Sequence, residues 1–246
     1  MSRLKVCAVV GAGDYIGAGV AKRFAREGYA VFAGRRNGDK LAPLAAGIKA
    51  AGGVCVPRAL DARKEEQIAA FMAEAAAYGD LEVCVFNVGG NVRFPILETT
   101  ERVFRKVWEQ ACYAGFLTGR EAARHMLVKG GGSILFTGAT ASLRGGAGYA
   151  AFAGAKFGLR AVAQSMAREL GPRNIHVAHL VLDAQVDTQW VRERIAEASG
   201  VAALDKLKPD ELMDPEAVGE IYWQLHGQPR SAWTHEMDIR PFLEKW

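Results

Sequence analysis

The 246-residue sequence predicts an α/β protein: a doubly wound, mainly parallel seven-stranded sheet with helices on both faces. Three observations carry that prediction. Short apolar runs alternate with longer stretches of helical period, the pattern of repeated βαβ units. Several of the runs are apolar at successive positions, as strands covered on both faces are. A glycine-rich loop follows the first run and leads directly into an amphipathic helix.

The strands are expected over residues 6–10, 30–33, 54–60, 81–86, 133–137 and 176–182, with a weaker one over 236–239. Ile16, Val20 and Phe24 mark one face of the first helix, and Ile68, Phe71, Met72 and Ala75 mark a later one. Phe152, Ala155, Leu159, Val162, Met166 and Leu170 form a long stripe at spacings of three and four. Gly28, Gly52-Gly53, Gly79-Asp80, Gly130-Gly131-Gly132 and Gly171-Pro172 punctuate the ends of these elements. No repeat, low-complexity tract or linker interrupts the alternation, so a single domain over 1–246 is expected.

Half of the residues are hydrophobic and 24% are charged, the balance of a soluble globular protein. The net charge of +4 is spread over many helices, without the basic run or aromatic-spaced stripe that would mark a nucleic-acid partner. No apolar stretch approaches the length of a membrane span. The apolar run over 6–10 is too short and unflanked for a signal peptide. Cys7, Cys55, Cys84 and Cys112 are far apart with no Cys-x-x-Cys pair, which fits neither a disulfide framework nor a metal site. A reducing cytoplasm is the expected location.

The loop after the first strand reads Gly11-Ala12-Gly13-Asp14-Tyr15-Ile16-Gly17-Ala18-Gly19. Glycines at such a turn let the backbone approach a pyrophosphate, whose charge sits on the free N–H groups at the helix start. From this loop onward the sequence resembles the short-chain dehydrogenase/reductase family over nearly its whole length, and the resemblance implies a Rossmann-type fold. The family has Gly-x-x-x-Gly-x-Gly here. Gly13, Gly17 and Gly19 match it literally but lie two residues too far from the strand. The Ile16–Val20–Phe24 stripe selects the register in which Gly11 and Gly17 match and Tyr15 replaces the middle glycine. In that register a bulky ring narrows the pyrophosphate space or lies over the ligand.

The second strand ends Ala33-Gly34-Arg35-Arg36. NAD-preferring proteins place a carboxylate here for the ribose 2′-hydroxyl, and NADP-preferring ones use arginine. With Gly34 at the acid's position and Arg35 and Arg36 after it, NADP(H) is favoured over NAD(H); Asp14 is the one residue that argues the other way. Asp61 resembles the family's adenine-contacting Asp, and Asn87-Val88-Gly89 resembles its Asn-Ala-Gly. Gly11, Tyr15, Ile16, Gly17, Arg35, Arg36, Asp61, Asn87, Gly89 and Lys156 are thus the candidate cofactor residues.

The family's reductases use a Tyr as proton shuttle, a Lys four residues later, a Ser about thirteen residues before the Tyr, and an Asn upstream. Lys156 matches the Lys, which puts Phe152 at the Tyr position, Ala139 at the Ser position and Ala111 at the Asn position. Phenylalanine carries no titratable proton, a role worth a factor of about 10²–10⁴ in rate. Thr140, Ser142 and Tyr149 lie close enough in sequence to be candidate replacements, with Lys156 as the retained catalytic residue. Where the family has Pro-Gly, this chain has Leu182-Asp183-Ala184, followed by a substrate lid expected around 184–213.

The resemblance implies an NADP(H)-dependent oxidoreductase acting on a small carbonyl, alcohol or related substrate by non-standard proton chemistry. The alternatives are an NADP(H)-binding pseudoenzyme with a sensing or scaffolding role, and a cofactor-free lyase with Tyr15 filling the pyrophosphate space. A homodimer or homotetramer is expected through the helices over 101–129 and 149–170, as family members pair.

Overall fold

A computed structural model describes residues 3–245. Seven strands form one sheet: β1 (Lys5–Val10), β2 (Ala30–Arg35), β3 (Val54–Ala59), β4 (Asp80–Phe86), β5 (Gly132–Thr137), β6 (Ile175–Leu182) and β7 (Glu236–Ile239). Their order is β3-β2-β1-β4-β5-β6-β7, and every pairing is parallel rather than mainly so. The order reverses between β1 and β4, so the carboxyl ends of these two strands flank the crevice where open α/β sheets bind ligands.

Alternate side chains feed two cores. Val6, Ala8 and Val10 of β1 join α3 (Glu65–Tyr78), α5 (Ala114–Lys129) and α6 (Ala150–Leu170) on one face. Cys7 and Val9 join α1 (Ile16–Arg26), α2 (Ala42–Ala50) and α8 (Pro215–His226) on the other. β6 is buried at all eight positions, which explains why its sequence runs apolar without alternation. α1 and α8 meet at two glycines. A Cβ on Gly19 would lie 2.2 Å from the Pro215 carbonyl oxygen, and one on Gly219 2.7 Å from the Gly19 backbone.

The segment expected as one helix over 101–129 is divided. α4 (Glu101–Trp108) passes through a π-helical turn at Glu109–Tyr113 before α5 begins. Such a turn carries one extra residue and re-aims the side chains that follow, and it contains Ala111 and Cys112, both buried. The expected lid segment carries α7 (Gln189–Ser199) and a 3₁₀ turn at Val201–Lys206. No helix among the described residues is long and apolar enough to cross a membrane.

Candidate active site

The loop between β1 and α1 folds tightly against the ends of β2 and β4. The N–H groups of Gly11 and Ala12 both donate to the Gly34 carbonyl, at 2.9 and 3.0 Å, and Asn87 Nδ2 donates to the Gly11 carbonyl at 3.1 Å. Gly11 has φ +90°, and a Cβ there would sit 2.6 Å from the Asn87 carbonyl oxygen. A Cβ on Gly17 would sit 2.4 Å from the Gly11 oxygen, whereas one on Gly13 would meet nothing within 4 Å. Gly11 and Gly17 are therefore the sterically required glycines. Ile16 turns its side chain into the core beside α1, which leaves its backbone at the helix start.

A cleft of about 550 Å³ opens from this loop past the end of β2 to Leu60–Arg63 and Asn87–Gly89. Its polar wall holds Arg35, Arg36 and Asp61. Arg35 is ion-paired to Asp14 at 2.8 Å, which joins the two residues that argue for opposite cofactors. Arg36 is exposed and has no hydrogen bond or ion pair among the described residues. A Cβ at position 34 would lie 2.6 Å from Leu60 Cδ2, so a larger residue there would require the Leu60 side chain to shift. Asp61 accepts from Arg63 Nε and Nη2 at 2.9 and 2.6 Å, and this pairing holds its carboxyl below the usual range. The backbone N–H of Asp61 is held by Gln67 Oε1 at 2.8 Å. Gly89 accepts from Gln110 Nε2 through its carbonyl.

Tyr15 leans across to the start of α7: its hydroxyl accepts the backbone N–H of Gln189 at 2.9 Å, a contact spanning 174 residues. Its ring lines a second hollow with Asp187, Thr188 and Gln189. The loop and the start of α7 are thereby linked at the N–H that the Thr188 cap, whose hydroxyl takes Val191 N–H, leaves over.

Lys156 is buried on α6. Its ammonium donates to the Thr137 carbonyl at 2.8 Å and approaches the Val88 carbonyl at 3.5 Å. Burial without a carboxylate partner pulls its pKa down to about 8. Phe152, with its ring centroid 5.9 Å from that ammonium, packs into an apolar cluster with Ala111, Cys112 and Ala139. Phe152, Ala111 and Ala139, the positions expected to match the family's Tyr, Asn and Ser, thus lie in one apolar cluster beside a buried amine.

The three nearby hydroxyls are placed differently. Ser142 is fully buried, and its Oγ accepts the Ala139 N–H at 3.1 Å, which closes the turn after β5. Thr140 faces Asp183 and helps to hold its carboxyl down. Tyr149 precedes α6 as its N-cap and so lies outside the helix, with its ring under the Arg93 guanidinium, 5.8 Å away. Asp183 is buried and binds Arg144 at 3.0 Å and Arg240 at 2.9 Å. Burial alone would raise its carboxyl, but the bonds from Thr140, Arg240 and Arg144 bring it below its ordinary value. Sequence reasoning missed Arg63, Arg240 and Arg93. Only the departure from Pro-Gly at Asp183 signalled the network around it.

A parallel doubly wound sheet with a glycine loop at its switch point and a buried helical lysine beside it defines a dinucleotide-binding α/β oxidoreductase scaffold. The family model for short chain dehydrogenase matches residues 5–198. A short-chain dehydrogenase structure from Rhodopseudomonas palustris is 60% identical, covering 97% of this chain and 99% of that one at TM-score 0.83. The 3-oxoacyl-[acyl-carrier-protein] reductase FabG of Thermotoga maritima is 26% identical over 95% of this chain and 94% of its own. An actinorhodin polyketide ketoreductase solved with NADPH shares the fold at TM-score 0.89 and 23% identity, with both chains fully covered. Other curated relatives match over 60 to 69% of their own length. The chain belongs to the short-chain dehydrogenase/reductase family and is an oxidoreductase of that type.

Proposed function

We propose that this protein is an NADP(H)-dependent oxidoreductase that acts on a small carbonyl or alcohol without the family's tyrosine. The observation that carries the cofactor preference is Arg36, an exposed guanidinium on the cleft wall next to Gly34, where the strand end carries no acid. A forked, charge-assisted bond to a ribose 2′-phosphate is the interaction such a group makes. The complex of the ketoreductase with NADPH supports the same reading.

In this reading the N–H groups at the start of α1, behind Gly11 and Gly17, take the pyrophosphate, and Asp61 borders the adenine. Asn87 and Lys156 orient the nicotinamide ribose, with Gly89 leaving the backbone open beside it. When bound, the nicotinamide supplies or accepts the hydride. Arg35 is a second phosphate ligand once it leaves Asp14. Tyr15 keeps its ring off the pyrophosphate by holding the lid. Ser142 is fully buried with its Oγ on the Ala139 N–H, so the proton on the substrate oxygen comes from water, Thr140 or Tyr149. Lys156, protonated below about pH 8, is the buried acid that can polarise such a water.

Titration of NADPH and NADH by fluorescence tests the preference. Hydrogen bonds to charged groups are worth about 1.5–3 kcal/mol, so Arg36→Ala should weaken NADPH about 10- to 150-fold and leave NADH unchanged. Equal affinity of the parent for both dinucleotides overturns the assignment.

A second reading, a dinucleotide-binding protein without turnover, is favoured by Phe152, Ala139 and Ala111 lying together in one apolar wall. NADPH oxidation across a panel of carbonyl compounds separates the two. Self-association belongs to the first reading: Phe104, Trp108, Phe116 and Phe157 on α4, α5 and α6 are all more than a third exposed, and pairing of these helices would cover them.

A further inference from the structure

Tyr15 precedes α1 as its N-cap residue, yet its side chain makes no capping bond to that helix. Its φ of −116° is open to any residue, so the backbone does not explain the side chain. The ring is 36% exposed and the hydroxyl takes the Gln189 N–H, so the phenol bridges the glycine loop and α7. Both ends of the bridge are anchored. Gly19 N–H donates to the Tyr15 carbonyl at 2.8 Å, and Asp187 N–H donates to the Met213 carbonyl at 2.9 Å. Asp187 also takes two bonds from Arg192, at 2.6 and 2.7 Å, which fix the turn just before Gln189.

The bridge stands between two open volumes. Gly13 lines the cleft that runs to Arg36 and Asp61, and Tyr15 lines the hollow of about 550 Å³ with Thr188, Ala196 and Leu204. In the NADP(H) reading the diphosphate lies at the start of α1, directly beside Tyr15. Resting on that reading, we propose that the Tyr15–Gln189 bond is a strap across the diphosphate path, which opens each time a dinucleotide enters or leaves. The bond uses no group of the cofactor. Its loss therefore speeds entry and release by the same factor and leaves affinity unaltered.

Either half of the strap can be deleted alone. Tyr15→Phe removes the acceptor. Gln189 is the first residue of α7, where proline is tolerated, and Thr188 before it is extended, at φ −134° and ψ 153°. Gln189→Pro thus removes the donor and keeps the helix, while Gln189→Ala keeps the N–H. The test is stopped-flow fluorescence of NADPH binding to the full-length proteins, and of its release into excess NADP⁺. Tyr15→Phe and Gln189→Pro should each quicken both rates about two- to tenfold, the worth of one neutral hydrogen bond. The double variant should be no faster than either single one, and Gln189→Ala should match the parent. Unchanged rates in Tyr15→Phe or Gln189→Pro, additive effects, or a Gln189→Ala variant as fast as Gln189→Pro overturns the strap alone. Faster release with unchanged entry marks Tyr15 as a direct contact of the dinucleotide and overturns it as well. A parent that binds no NADPH overturns the cofactor reading, and the strap with it.

Discussion

Placing hydroxyls at Phe152 and Ala139, the positions expected to match the family's Tyr and Ser, is the sharpest test of how this apolar cluster limits chemistry. Phe152 is only 8% exposed and packs against Ala111 and Ala139, with the Lys156 ammonium 5.9 Å from its ring centroid. A tyrosine there adds one hydroxyl to a buried position. If that hydroxyl found no partner it would cost about 1–3 kcal/mol of stability. With Lys156 within reach and a serine at 139 it has two. A positioned general acid is worth about 10²–10⁴ in rate, or roughly 3–5 kcal/mol of barrier. The double variant Phe152→Tyr/Ala139→Ser should therefore reduce carbonyl compounds at least 100-fold faster in kcat/KM than the parent, followed as NADPH oxidation. NADPH affinity and melting temperature are measured alongside. A double variant that folds and binds NADPH like the parent, yet turns over no faster, would refute the claim that the missing hydroxyls limit the reaction.

Other outcomes follow from packing and burial. Gly19→Ala drives a methyl to within 2.2 Å of the Pro215 oxygen and must part α1 from α8. It should cost about 1–3 kcal/mol in urea unfolding, whereas Gly47→Ala, with nothing within 4 Å, should stabilise by about 0.4–1 kcal/mol. Equal effects at the two sites would contradict the close approach. His179, fully buried with Nδ1 on Glu236, has its pKa pulled down to about 4 by burial. Its folded pKa lies below the unfolded value, so the unfolded chain binds more protons as pH falls from about 6.5 towards 4. Stability should fall by about 2 kcal/mol from this residue between pH 7 and 5. Urea unfolding of His179→Asn should show a correspondingly flatter pH dependence, and an unchanged slope would count against the buried neutral imidazole.

Much of the fold was legible because strands buried on both faces must run apolar, and helices between them must show one apolar face. The glycine register was legible for a related reason: the Ile16–Val20–Phe24 stripe fixes where α1 begins. The π-helical turn at Glu109–Tyr113 left no such trace, since one extra residue in a helix changes no composition. Side-chain partners were the least legible part of the site. Ser142, Thr140 and Tyr149 looked alike in sequence as spare hydroxyls, yet the first closes a turn, the second faces Asp183 and the third lies beneath Arg93. Those distinctions depend on neighbours far along the chain, Asp183 for Thr140 and Arg93 for Tyr149, or on the exact path of one loop. The Tyr15 hydroxyl on Gln189 N–H is the extreme case, since nothing within the glycine loop points to the lid.

The central claim is that the cleft bounded by Gly11, Arg36 and Asp61 holds NADP(H). The most direct measurement is the affinity of the unmodified protein for NADPH against NADH, by fluorescence titration at fixed ionic strength. The account predicts saturable NADPH binding at least tenfold tighter than NADH. Failure to bind either dinucleotide, or a preference for NADH, would contradict it.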